Sequence, residues 1–317
     1  MNTALVKNKA ILVYGLGITG LSSCEALSRL GAQVFAYEDP KQDGQGHTCG
    51  LMAPPDELPP NITRLGSIDE LVDHDFAFLL KSPGIHLDKP LLQKARDLNI
   101  PIYSDIEVAY QLFGGDRMVA VTGSNGKTTA VTLISHIVNH SGRSAIAVGN
   151  IGVPILSSML NAGPETIFVV ECSSFQLSSV EAFKPHVAAI LNITPDHLEW
   201  HESFDHYTSA KFNIANPRDQ HTRDYLQNHE FKSVVKWIPL ESDLAGLLRQ
   251  HRHWKLFGEH NVENALFAVE ACRLLGVDDI EILWGLDSFE AVKHRMEVVK
   301  TVNGVRYIND SKATNVD

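Results

Sequence analysis

Short apolar runs alternate along the chain with stretches whose apolar residues recur every three or four positions, an order that predicts strands followed by helices. Ala10–Tyr14 is the first such run. The loop Gly15–Gly20 follows it, and Leu21, Cys24, Leu27 and Leu30 then keep helical spacing up to Gly31, where a helix C-cap belongs. Val34–Tyr37 predicts a second strand that ends in Glu38 and Asp39. Residues 41–60, rich in glycine, proline and polar side chains, read as loop. Phe76–Leu80 predicts another buried strand, which runs into Lys81, Ser82, Pro83 and Gly84.

The order restarts after Gly114. Met118–Val121 predicts a strand, a second glycine loop follows, and Val131, Ile134 and Val138 mark a helix. Ile167–Val170 and Val187–Leu191 predict two more buried strands. Asn261–Leu275 is a helix candidate with Gly276 as its cap, and Val305–Ile308 is a last strand. Residues 216–254, polar and rich in histidine, fit no element. Strands alternating with helices imply an α/β fold whose parallel sheets are covered by helices on both faces. With 317 residues the chain exceeds what one core usually serves. The restart divides it into an N-terminal Rossmann-like domain at 1–105 and a P-loop α/β domain at 106–297, leaving 298–317 as a third portion.

Composition narrows the class. Apolar residues make up 44% and charged ones 21%, ordinary for a globular chain and unlike a disordered one. The formal net charge of −11 repels polyphosphate backbones, so nucleic acid is not an expected partner. No apolar run approaches the roughly 20 residues of a membrane helix, and Met1–Lys7 lacks a signal peptide's apolar stretch. Cys24, Cys49, Cys172 and Cys272 lie far apart, which predicts reduced thiols and a cytoplasmic protein.

Candidate chemistry concentrates in the loops that follow strands. Gly123, Ser124, Asn125, Gly126, Lys127, Thr128 and Thr129 sit between a strand and a helix, where glycines and amide N–H groups wrap phosphate. Lys127 is then placed for the outer phosphates and the Thr128 hydroxyl for Mg²⁺. The spacing is Gly-x-x-Gly-Lys-Thr, shorter than the general P-loop pattern, so a chance small-residue loop is the plain alternative. Glu171 ends an apolar strand at the edge where open α/β sheets bind ligands, and suits a magnesium ligand as well as it suits a solvated strand end. His197 closes Asn192-Ile-Thr-Pro-Asp-His197, a weaker metal candidate. His201 and His206 read as exposed loop histidines, and Lys211 as a surface lysine. Gly15-x-Gly17-x-x-Gly20, with an acidic residue about 20 positions on, fits a pyrophosphate at a helix N-terminus as well as a tight turn.

Taken together, these residues resemble the Mur ligases, which add amino acids to the UDP-linked peptidoglycan precursor. The matching segments run in order: Gly15-Leu-Gly-Ile-Thr-Gly20, Ser82-Pro-Gly-Ile85, Gly123–Thr129, Gly149-Asn-Ile-Gly152, Glu171-Cys-Ser-Ser-Phe-Gln176 and Asn192–His197. Ala210-Lys211, Gly258–Asn264, His294-Arg295 and Asn309-Asp-Ser-Lys-Ala-Thr-Asn315 follow. The first and last of these favour the branch that adds D-glutamate to UDP-N-acetylmuramoyl-L-alanine.

The resemblance implies an ATP- and Mg²⁺-dependent amide ligase acting through an acyl phosphate. It implies that Thr128, Glu171, His197 and a carbamylated Lys211 hold or orient metal, with Lys127, His197 and Lys211 as catalytic groups. Asn261, Asn264, Arg295 and Asp310 match ATP contacts, while Gly17, Ile18, Thr19, Glu38, Ser82 and Asn150 match positions around the UDP-sugar. Glu38 stands where the family has aspartate. The implied protein is a cytoplasmic monomer. Nearly all of the family's third, Rossmann-like domain, which carries most of the D-glutamate site, is expected to lie beyond Asp317, so turnover by these 317 residues alone does not follow. The competing readings are another Mur or folylpolyglutamate-type ligase, a UDP-sugar-binding relative without catalysis and, more remotely, an NAD dehydrogenase.

Overall fold

The computed structural model describes residues 1–40, 58–214, 246, 248, 258–290, 297–303, 305–309 and 311. In its first part β1 (Ala10–Tyr14) leads into α1 (Ile18–Arg29) and β2 (Gln33–Tyr37). β3 (Ile62–Arg64), β4 (Phe76–Lys81), α2 (Pro90–Asp97) and β5 (Ile102–Tyr103) complete a five-stranded parallel sheet in the order β3-β2-β1-β4-β5. α3 (Asp105–Phe113) carries the chain to the second sheet.

There β6 (Met118–Thr122) precedes α4 (Lys127–His140), then come β7 (Ala145–Gly149), α5 (Ile155–Asn161), β8 (Ile167–Glu171), α6 (Ser174–Leu177) and β9 (Val187–Ile190). This sheet is also parallel, in the order β7-β8-β6-β9. α7 (Leu198–His201), α8 (Phe204–Phe212), α9 (Glu259–Leu274) and α10 (Asp279–Ser288) follow, and β10 (Glu297–Val302) pairs antiparallel with β11 (Val305–Asn309). No helix of the described residues is long and apolar enough to cross a membrane.

The central strands read as unbroken apolar runs because both of their faces are covered. Every residue of β6 and β8 is buried. Ile11 and Val13 share one core with Cys24 and Leu27 of α1, Leu112 of α3, Ile155 of α5 and Phe168 of β8, so this core lies between the two sheets. Val119 and Val121 face a separate core with Ile134, Ala265 and Leu286 of α4, α9 and α10. Leu12 and Tyr14 pack outward against Leu91 and Leu92 of α2. Glu107, on α3, is fully buried, and its carboxylate accepts hydrogen bonds from the backbone N–H groups of Glu181, Ala182 and Phe183 at 2.9–3.0 Å.

The predicted helix ends hold. Gly31 (φ +87°) and Gly276 (φ +75°) lie in the left-handed region just past α1 and α9. β3, β5 and β7 are elements that the hydrophobic pattern leaves unassigned: the first two are very short, and Ala145-Ile-Ala-Val-Gly149 has little apolar bulk. Cys24, Cys172 and Cys272 are buried free thiols.

Candidate active site

Two glycine loops leave the carboxyl ends of β1 and β6, each beside a neighbouring strand from the other branch of its sheet, which is where open α/β sheets form a binding crevice. In the first, Gly20 of α1 packs so closely on the Gly15 carbonyl that a Cβ there would sit 1.8 Å from the oxygen. The Ser82 hydroxyl donates to the same carbonyl at 2.8 Å, joining this loop to the one after β4. The Leu16 N–H donates to the Glu38 carboxylate. Asp39 accepts from the Tyr14 hydroxyl at 2.8 Å and pairs with Lys89 at 2.9 Å. Gly17 is the N-cap of α1, and a Cβ built on it meets no atom within 4 Å. Ile18 is exposed, and the Thr19 carbonyl accepts from Ser23. The loop thus presents open backbone at a helix N-terminus, the environment an anionic ligand needs.

The second loop is held from three sides. Asn192, just past β9, takes the Asn125 N–H on its Oδ1 at 2.8 Å, and its carbonyl takes the Ser124 N–H at 3.0 Å. The Ser124 hydroxyl meets the Tyr207 hydroxyl at 2.8 Å and accepts the Thr194 N–H at 2.9 Å. Gly126, with φ +82°, is the N-cap of α4, and Asn264 of α9 presses against it: a Cβ there would lie 2.1 Å from Asn264 Oδ1. Asn261 and Asn264 are both buried and hydrogen-bonded to each other. Thr129 is buried in the first turn of α4.

Charge converges on this loop. Lys127 donates to the carbonyls of Gly123 (2.8 Å) and Ser124 (2.7 Å), and Lys211 of α8 donates to the same Gly123 oxygen at 2.8 Å. Lys211 is only 2% exposed and lies over the Tyr207 ring, 4.6 Å from its centroid. Burial, and then the charge of Lys127, push its pKa down to about 7. Across the loop the Thr128 hydroxyl donates to Glu171 at 2.8 Å, and the other oxygen of that buried carboxylate accepts from the Asn150 amide at 2.9 Å. Thr128 and Glu171 form an all-oxygen pair, which fits Mg²⁺ better than a softer metal.

A comparison with known families matches residues 121–226 to the Mur ligase middle domain. A UDP-N-acetylmuramoylalanine–D-glutamate ligase of Streptococcus thermophilus is 34% identical over 98% of this chain and 73% of its own length. A ligase of the same name from Leuconostoc mesenteroides gives the same identity and shares, and one from Alkaliphilus metalliredigens is 33% identical over 98% of this chain and 74% of its own. The chain belongs to the Mur ligase family. Among solved structures, a UDP-N-acetylmuramate:L-alanyl-gamma-D-glutamyl-meso-diaminopimelate ligase from Neisseria meningitides shares the fold, with TM-score 0.55 at 16% identity over 90% of this chain and 99% of that one.

In this Mur ligase the expected residues do not all meet. Thr128 with Glu171, and Lys127 with Lys211, are brought together. Asn150 lies on the Glu171 side of the second sheet, where its amide donates to that carboxylate. His197 makes no hydrogen bond to Thr128, Glu171 or Lys211 among the described residues. Its half-exposed ring lies 4.9 Å from Phe175 and beside Asp196, and its backbone takes a left-handed φ of +51° at the start of α7. No three His, Cys, Asp or Glu residues converge as a metal site among the described residues. Arg295 and Asp310 lie outside the described residues, as do Cys49, residues 41–57 and most of 216–254.

Two expectations are overturned. His201 is not an exposed loop residue: it ends α7, is 5% exposed, and lies 2.9 Å from the Ser174 hydroxyl, with burial lowering its pKa to about 4. Lys211 is likewise no surface lysine, because α8 turns it inward beneath the second glycine loop. His206 is exposed, on helix α8 and not in a loop. Sequence reasoning passed over Asn192 and Tyr207 as site residues. Asn192 was legible in its motif, and Tyr207 stands one helical turn before Lys211, a spacing that places both side chains on one face.

Proposed function

We propose that this Mur ligase joins D-glutamate to UDP-N-acetylmuramoyl-L-alanine with ATP, through an acyl phosphate, as a cytoplasmic monomer. The observation that carries the chemistry is the single loop flanked by two lysines on one side and the Thr128–Glu171 pair on the other. The names of the relatives, over 98% of the chain, support the choice of substrates.

The γ-phosphoryl group passes from ATP to a carboxylate oxygen of the UDP-sugar peptide, and ADP leaves. The D-glutamate amine then attacks the acyl carbon, and inorganic phosphate departs as the amide forms. Phosphoryl transfer of this kind rests on positioning and charge neutralisation. Gly123–Thr129 cradles the phosphates, Lys127 turns its ammonium from the loop carbonyls to the phosphoryl oxygens, and Asn261 and Asn264 flank the nucleotide. Thr128 and Glu171 would hold Mg²⁺, which would supply positive charge for the phosphoryl transfer. Lys211 has the free amine near neutral pH that reaction with carbon dioxide to a carbamate requires. His197, with its half-exposed ring, would be a further Mg²⁺ ligand. Gly17, Ile18, Thr19, Glu38, Ser82 and Asn150 form the UDP-sugar end. Arg295 and Asp310 complete the ATP contacts. The division at 105/106 assigns one ligand to each sheet, and 106–297 makes up the ATP-binding domain.

A calorimetric titration of the chain with UDP-N-acetylmuramoyl-L-alanine, against UDP-N-acetylmuramate, tests the acceptor. Selective binding of the L-alanyl compound is expected. Equal binding, or none by a folded sample, rejects this acceptor while leaving the family intact.

A further inference from the structure

The most deeply buried cation of the first sheet has no part in the chemistry above. Lys81 is the last residue of β4 and is 0% exposed. Its ammonium lies 3.3, 3.4 and 3.0 Å from the carbonyl oxygens of Ser82, Pro83 and Ile85. Three oxygens of one short loop thus converge on one donor group, which has three protons to give. That wraps the loop into a tight turn, and the turn sets the Ser82 hydroxyl on Gly15 of the first glycine loop.

The other side of the same ammonium faces a different element. The ring of Trp200, in α7, lies 5.7 Å from Lys81 Nζ, within reach of a cation–π attraction. Trp200 also packs 4.7 Å from Phe175 and 5.1 Å from His86, and its carbonyl accepts from His86 Nε2 at 3.0 Å. His197 begins the helix that Trp200 belongs to, and it rests on the same Phe175 ring. Asp105, buried at the start of α3, is the carboxylate whose charge Lys81 feels, and it is fixed by Gln176 Nε2 at 2.9 Å. Gln176 belongs in turn to the segment that follows Glu171. One buried charge therefore touches the UDP-sugar loop directly, and the turn carrying His197 through a single ring.

We propose that Lys81 is a positioning residue that locks the Ser82–Ile85 loop and docks the His197-bearing helix onto it, so that the sugar-nucleotide loop and the reacting end are set in one geometry. This assignment rests on the substrate reading above for its consequence, though not for the coupling itself. Lys81 touches no substrate and acts through Ser82 and Trp200.

Lys81→Met keeps the length of the side chain and removes its charge and donors. Hydrogen exchange of the ligand-free chain tests the coupling: the amides of Ser82, Gly84, Ile85 and of residues 198–201 are expected to exchange about tenfold faster in the variant, with those of α4 unchanged. Trp200→Leu is expected to accelerate the Ser82–Ile85 amides in turn. Faster exchange confined to Ser82–Ile85, no change at all, or equal acceleration throughout α4 overturns the proposal. Calorimetry adds the functional arm. Lys81→Met is expected to bind UDP-N-acetylmuramoyl-L-alanine about tenfold more weakly while its affinity for an ATP analogue with Mg²⁺ moves less than about twofold. Equal loss of both ligands, or of neither, counts against it. Should the unaltered chain not bind the sugar nucleotide, the substrate reading fails, and the exchange experiment alone decides the coupling.

Discussion

Gly126 shows how far one residue can be constrained. Its φ of +82° excludes most side chains, and Asn264 fills the space a Cβ would take. Gly126→Ala is expected to cost about 1–3 kcal/mol of stability and to abolish nucleotide binding, checked by urea denaturation and by calorimetry with an ATP analogue. Lys211 makes a second prediction. With its pKa lowered to about 7, far more of its amine is free at neutral pH than in an ordinary lysine, so the chain is expected to show a carbamate signal with ¹³C-bicarbonate in NMR spectra. Lys211→Met is expected to lose that signal. Lys127, Thr128 and Glu171 were legible in the sequence because their context, strand before and helix after, is contiguous. The burial of Lys211 and His201 was not. Both are ionisable side chains that read as surface, and burial comes from Gly123 and Tyr207 in one case and from Ser174, Phe175 and Trp200 in the other.

Among the elements, α3 ties a distant segment down through one side chain. Glu107 satisfies three amide donors that open the segment at Glu181–Phe183, and Gln111 donates to it from one turn along. Glu107→Ala leaves those donors buried without acceptors, and a loss on the order of 3 kcal/mol is expected in denaturation experiments, with Glu107→Gln recovering part of it. The apolar strands β1, β4, β6, β8 and β9 were legible because parallel strands covered on both faces are apolar throughout. β3 and β5 escaped because short strands owe their pairing to neighbours already in place. α8 escaped for a related reason: its apolar and polar residues are evenly spread around it, and tertiary contact, not periodicity, selects its buried face.

At the scale of the whole molecule, buried titratable groups shape stability against pH. His201, lowered to about 4 from 6.5, leaves the unfolded chain holding more protons between those values, so stability rises with pH there. Lys81 and Lys211, lowered to about 7 from 10.5, act with the same sign above pH 7. Cys24 and Cys272, raised to about 12 from 9.0, act oppositely: above pH 9 the unfolded thiols ionise first and stability falls. From these groups urea midpoints are expected to climb from pH 4 to about pH 9, to level where the lysines and thiols offset each other, and to decline above about pH 10.5. Replacing both lysines with Met is expected to flatten the climb above pH 7. Sheet order has another consequence, felt while the chain is being synthesised. β6 pairs with β8 and β9, both of which follow it, from Met118↔Phe168 on one side and Val119↔Val187 on the other. As translation proceeds at roughly 5–20 residues per second, the Gly123–Thr129 loop leaves the ribosome several seconds before the strands that fix its shape. Through that interval a wholly buried strand of the second sheet has no partner, and a chaperone at the exit tunnel would meet it uncovered.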